Sequence, residues 1–202
     1  MTSSAPAGLP GLLTTVVSWV PRLFVLSVTW LVQVLAGAVV LGFAPATAVL
    51  ADGVARRLAD PDAPADLRGG WRTWRAELWS AQLPLGLPAL QVVLLAFYLQ
   101  LTRGSVLAVS VAVLGAVYVV WLAHLPAVYV RRHDGVGAPA LWLANLRLMA
   151  GGAGAYLLSG VVLLAGGWAL VWYAPVAAVA FGPAAAALVA ALAVRRVVGR
   201  AR

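Results

Sequence analysis

The chain is 202 residues long, 63% hydrophobic and only 10% charged, with a mean hydropathy of +0.97. A soluble globule needs a polar surface that this composition does not supply, so the class is an all-α integral membrane protein. The net charge is +8, all 14 basic residues are arginine, and there is no cysteine, which excludes disulfides, thiolate chemistry and Cys-based metal sites.

The arginines sit at the ends of apolar runs and form no basic face interleaved with base-stacking aromatics, so nucleic acid is not an expected partner. The absence of lysine, beside abundant Ala, Val and Gly, fits the codon bias of a GC-rich genome.

About 20 apolar residues cross the hydrocarbon core as a helix. The first charge-free run is Leu23 to Ala51, and the expected span within it is 23–44. Arg22, the apolar run and Ala36-Gly37-Ala38 imitate a secretory signal peptide. The preceding segment has no basic side chain, and hydrophobicity continues past the supposed cleavage point, so the run reads as a retained span. Residues 52–79 follow as a cytoplasmic loop. Further spans are expected at 80–102 and 105–130. The last run, Leu148 to Val194, is 47 residues long and suits two helices, 152–172 and 176–194. Their turn is placed at Tyr173-Ala174-Pro175, because proline does not comfortably continue a preceding helix.

Five spans put twelve arginines on one side and only Arg22 and Arg103 on the other. Positively charged loops stay cytoplasmic, so the expected topology has the N-terminus outside and the C-terminus inside a plasma membrane. A six-span alternative makes Leu12 to Leu58 a hairpin, but it leaves Arg22 inside the first helix, where an unpaired charge is costly.

The first run ends in GFAPATAVLADGVARRL, and AFGPAAAALVAALAVRR repeats its pattern near the end of the chain. Aligning Pro45 with Pro183 also brings Phe43 onto Phe181, Ala46 onto Ala184 and Trp30 onto Trp168. Paired proline-broken helices often mark a transporter's substrate site, since a broken helix exposes backbone groups. The simpler reading is a pair of kinks near the cytoplasmic ends of two parallel helices.

In the long loop, Trp71, Trp74 and Leu78 share one helical face, while Arg72, Arg75 and Glu77 lie largely elsewhere. The expectation is an interfacial amphipathic helix with indoles and arginines in the headgroup layer. The functional alternative, to which lipid anchoring is preferred, makes Trp71, Arg72, Trp74, Arg75 and Trp79 a partner-docking surface.

A first span ending in Phe43 to Ala48, a short helix ending in Arg56 and Arg57, an acidic link and the segment WRTWRAELW leading into the next span together resemble the YesL-like family. These are small multi-pass bacterial membrane proteins of unknown function. Ala44 stands where that family usually has glycine, and Trp71 and Trp74 where it has phenylalanine. The resemblance is sharpest from Leu35 to Gln82. It implies association with carbohydrate gene clusters beside sugar ABC importers, and it supplies no catalytic residues.

The residues themselves point the same way, since no nucleophile, metal or phosphate-loop motif is present. No enzymatic activity and no cofactor are therefore expected. His124 is the one ionisable side chain well inside a span and is a candidate proton relay or ligand. The bland alternative bonds it to a carbonyl freed near Pro126. Gln33, Gln91, Gln100 and Asn145 read as helix-joining groups, and Gly151 to Gly154 and Gly166-Gly167 as packing surfaces. Two function classes stand out: an accessory subunit against ABC permease subunits, and a small carrier or channel, alone or as a homo-oligomer, lined by His124 and the two proline breaks.

Overall fold

The computed structural model describes residues 9–61, 63, 66–131 and 136–200. Eight α-helices are described: α1 (Leu9–Ala36), α2 (Val40–Ala59), α3 (Leu67–Ser80), α4 (Leu87–Leu101), α5 (Leu107–Tyr129), α6 (Ala138–Gly151), α7 (Ala153–Tyr173) and α8 (Pro175–Arg200). There is no strand among the described residues. Five stretches are long and apolar enough to cross a bilayer: Val17–Ala36, Gln82–Leu101, Leu107–Tyr129, Ala153–Tyr173 and Pro175–Arg200. They leave large apolar side chains such as Val93, Phe97, Val109, Leu157 and Trp172 exposed, as helices solvated by lipid do.

The run expected to continue from the first span into a cytoplasmic loop instead reverses, as the hairpin alternative has it, and α1 holds Arg22 within it. Gly37 N–H donates to Gln33 O, Val39 N–H to Val34 O and Gly42 N–H to Gly37 O, while Ala38 and Val39 take φ of 52° and 67°. That left-handed backbone is unfavourable for residues with a Cβ, above all for a β-branched one. Contacts below the turn offset this cost. Helix α2 folds back antiparallel to α1, with Trp30 Nε1 donating to Thr47 Oγ1 at 3.2 Å. A Cβ on Gly42 would lie 2.4 Å from Val34 O, so only glycine lets the two backbones come this close.

The reversal corrects the expected placement of Arg22. It lies over the Trp19 ring at 5.9 Å, one turn before Leu26, whose side chain reaches Gly53 beside Arg57, while Arg195 Nη1 donates to Leu58 O at 2.9 Å. The lower part of α1, the end of α2 and the end of α8 therefore share one arginine-rich end of the molecule. Arg22 is not on the side opposite Arg56 and Arg57.

Helix α3 begins at Asp66, whose carboxylate accepts from Gly69 N–H at 2.7 Å. It packs against the α1–α2 hairpin, with Trp74 buried beside Val34 and Ala46. A π-helical turn at Gln82–Gly86, around Pro84, leads into α4. Helix α6 fills what the sequence suggested was loop before 152, and Trp142 Nε1 donates to Pro84 O at 3.0 Å. Helices α7 and α8 meet at Ala174, directly before Pro175. Leu125, Tyr129, Tyr156, Leu85 and Val194 form the centre of the core.

Gly42→Ala tests the hairpin by the sign of its effect. Inside an ordinary helix this change adds up to ~1 kcal/mol of propensity, whereas overpacking costs about 1–3 kcal/mol. The expected result is a lower unfolding midpoint in detergent, and a raised midpoint would rule out the close approach.

Candidate functional site

Proline at 45 cannot donate to the carbonyl four residues earlier, and in lipid that orphan must find a partner within the protein. The partner is Gln82, whose Nε2 donates to Leu41 O at 2.8 Å. At Pro183 the neighbouring Ala184 N–H donates to Ser27 Oγ at 3.2 Å, in a buried contact between α8 and α1. The aromatic members of the two elements also meet α1: Phe43 lies edge-on to Trp30 at 6.0 Å and Phe181 packs on Phe24 at 5.8 Å. Both Phe-x-Pro-Ala elements thus grip the same helix. Trp168, aligned with Trp30 in the sequence, instead packs at a tilt against Trp172 at an exposed surface.

Between α2, α5 and α8 lies a cavity of about 310 Å³. Phe43 and Thr47 come from α2, Leu122 and Pro126 from α5, and Pro183 and Ala187 from α8, with Trp30 and Leu85 beside them. Each helix contributes positions three or four apart, one face apiece. Pro45 and Ala46 are buried elsewhere, Ala46 against Val34 and Trp74. The repeat therefore contributes Phe43 and Pro183 to one chamber and uses its other members for packing.

The chamber wall is apolar. Thr47 is its one hydroxyl, and it already donates to Phe43 O at 2.7 Å and accepts from Trp30.

His124 is not part of this chamber. It points from α5 toward α7, with Nε2 2.8 Å from Ser159 Oγ and Nδ1 2.6 Å from Val120 O. A carbonyl only accepts, so Nδ1 carries a hydrogen. In the neutral ring Nε2 accepts from the Ser159 hydroxyl, which is also 3.0 Å from Tyr156 O and donates to one acceptor at a time. The ring stacks on Tyr156 at 4.2 Å. Tyr156 Oη donates to Asn145 Oδ1 at 3.3 Å, and Asn145 Nδ2 to Trp121 O at 2.8 Å. The carbonyl partner is Val120 O, in place of the one expected near Pro126. The sequence drew attention to His124 and Asn145 but missed Tyr156 and Ser159, whose spacing of three on α7 is the signal that pairs them.

Helix α3 divides the aromatic and basic cluster. Trp74 is buried against the hairpin and Trp71 packs on it at 5.0 Å. Arg72, Arg75 and Trp79 face outward, Trp79 being 74% exposed. Of the face expected to meet lipid, Trp74 is turned inward because the returning α2 gives it protein to pack on, Leu78 is half-buried, and Trp71 stays exposed. Among the described residues no group of His, Asp and Glu is placed to hold a metal.

His124→Ala removes a stacked ring and leaves a cavity, and large-to-small core changes cost about 2–5 kcal/mol. The expected outcome is reduced thermal stability in detergent with unchanged membrane insertion. Unchanged stability would show that the ring is not a packing element.

Residues 23–101, which cover most of the hairpin together with α3 and α4, match a family model described as "Protein of unknown function, DUF624". No curated protein and no solved structure matches the chain.

Proposed function

We propose that this chain is a non-enzymatic multi-pass protein of a bacterial plasma membrane that acts as an accessory component beside an ABC-type carbohydrate importer. The family match is compatible with the YesL-like resemblance, and the importer is what that resemblance implies. The observation that carries the reading is the apolar chamber. A sugar needs hydrogen-bond partners to replace its water, and the one hydroxyl lining the chamber is committed within the protein. The buried polar side chains around His124 are likewise bonded to one another. Neither place suits a sugar carried by this chain alone.

A surface for a partner is available on α3, where Arg72, Arg75 and Trp79 are exposed on a helix held in place by its opposite face. Exposed Trp and Arg are frequent anchors of interfaces. On this reading the arginine-rich end is cytoplasmic by the positive-inside rule, and the hairpin brings the lower part of α1 to that side as well. A second reading, a self-contained carrier acting as an oligomer, draws on the chamber itself and suits an apolar cargo.

The test is affinity purification of the tagged protein from native membranes in mild detergent after brief crosslinking, followed by mass spectrometry. Stoichiometric recovery of ABC permease subunits is expected. Replacing Arg72, Arg75 and Trp79 together by alanine should weaken recovery by on the order of tenfold or more, with the unfolding midpoint unchanged. Recovery of the protein alone, or only with its own copies, overturns the accessory reading in favour of the carrier.

A further inference from the structure

We infer that the groove between α7 and α8 holds one anionic phospholipid, with an acyl chain against its apolar walls and the phosphate at Arg195 and Arg196.

The hollow exists because small side chains face one another across the two helices. Ala155 and Ala193 leave a space of about 490 Å³ that Leu158, Val162, Val189 and Leu192 border. Leu158, Val162 and Leu192 are exposed, and both helices are among the stretches able to cross a bilayer, so the groove opens toward lipid. Its one hydroxyl belongs to buried Ser159, which lies 2.8 Å from His124 Nε2 and is engaged there. A polar ligand would lose its water along these walls with little to replace it, whereas a hydrocarbon chain asks for no hydrogen bonds.

One end of the groove has the opposite character. Arg195 and Arg196 line it there, and no acidic side chain lines it anywhere among the described residues. Both arginines are exposed. Neither pairs with a carboxylate of any described residue, and the bond from Arg195 to Leu58 O at 2.9 Å goes to a neutral carbonyl that leaves its charge uncompensated. Arg131 and Arg195 also line one recess between α2, α5 and α8, which adds a third guanidinium to this end.

From Arg195 to Val189 is six residues, about 9 Å along the helix. Positive charge thus sits at the headgroup end and apolar wall lies below it, the order in which a phospholipid carries its phosphate and its chain. Basic pockets between membrane helices bind anionic headgroups, and the paired N–H donors of a guanidinium match phosphate oxygens. The arginines also decide between lipid and a second copy of this chain, because a copy seated on the same face would bring like charge to the contact.

The experiment is native mass spectrometry of the full chain in detergent, titrated with phosphatidylglycerol and, separately, with phosphatidylcholine. Wild type should bind one phosphatidylglycerol about fivefold or more tighter than phosphatidylcholine. Arg196→Gln, at an exposed position, should lower the phosphatidylglycerol affinity about fivefold and leave that for phosphatidylcholine unchanged. Arg200→Gln removes the same charge outside the groove and should keep the preference. Ala155→Phe fills the hollow and should abolish the single-lipid adduct.

No preference in wild type, or an equal loss in Arg196→Gln and Arg200→Gln, overturns the site in favour of general surface charge. Unchanged binding in Ala155→Phe puts the lipid elsewhere and overturns the groove. A protein dimer that Ala155→Phe dissolves assigns the groove to a second copy and overturns the lipid. If Ala155→Phe does not fold, Val162→Trp takes its place from the exposed rim, with the same expected loss and the same overturning result.

Discussion

The close approach of α1 and α2 at Gly42 determines how much of the remaining chain is placed. With any side chain at that position the two backbones would be held apart, and the left-handed turn at Ala38 and Val39 would lose the packing that offsets it. The close pairing places Trp30 against Thr47 and Phe43 and sets Leu26 against Gly53. It also creates the surface on which Trp74 is buried, so the inward face of α3 is a consequence of the hairpin. A single span through this region would take away the surface on which Trp74 is buried, leaving α3 little beyond the Glu77 contact with Tyr129.

The second organising constraint is that lipid offers no hydrogen bonds. Each proline kink therefore needs an answer from elsewhere in the fold. Gln82 supplies it for the carbonyl left by Pro45, and Ser27 reaches the backbone beside Pro183. Both answers are also tertiary links, joining the π-helical turn to α2 and α1 to α8. In this way the repeated Phe-x-Pro-Ala element ties remote parts of the chain to a common helix. The accompanying alanines, Ala46 and Ala184, are fully buried and small enough to permit the approach.

Legibility in the sequence tracked the strength of local signals. Pro175 marks the α7–α8 turn because proline acts on its own neighbours, and the apolar runs mark the spanning helices because length and composition suffice. The reversal at Gly37–Val39 was legible only as the hairpin alternative, which was set aside because it leaves Arg22 inside the first helix, where α1 does hold it. Ala38 and Val39 are poor turn residues placed there by contacts distant in sequence, and no charge or proline falls between Arg22 and Pro45 to mark them. Helix α6 was obscured by Arg147 and Asn145, although Pro139 in its first turn is a start signal. At the candidate site the residue types were readable and the faces were not. The sequence lets His124 and Pro183 share a route, yet α5 turns His124 toward α7 and Pro126 toward the chamber. Arg57 was lost in a charged pair, because only the folded hairpin distinguishes it from exposed Arg56.

The two faces of α5 also bear on how such a protein can act. Alternating access requires elements with two arrangements of similar energy. Here α5 is joined to α6 and α7 through Trp121, His124, Asn145 and Ser159. Helix α2 is tied by Gln82, and α8 by Ser27 and by the Arg195 contact to Leu58. Moving α5 or α8 would break at least one buried bond, while the tie on α2 is exposed. The frame is therefore better suited to holding a fixed surface than to rocking around a cargo. On the accessory reading proposed above, that favours the exposed side of α3 as the surface for a partner.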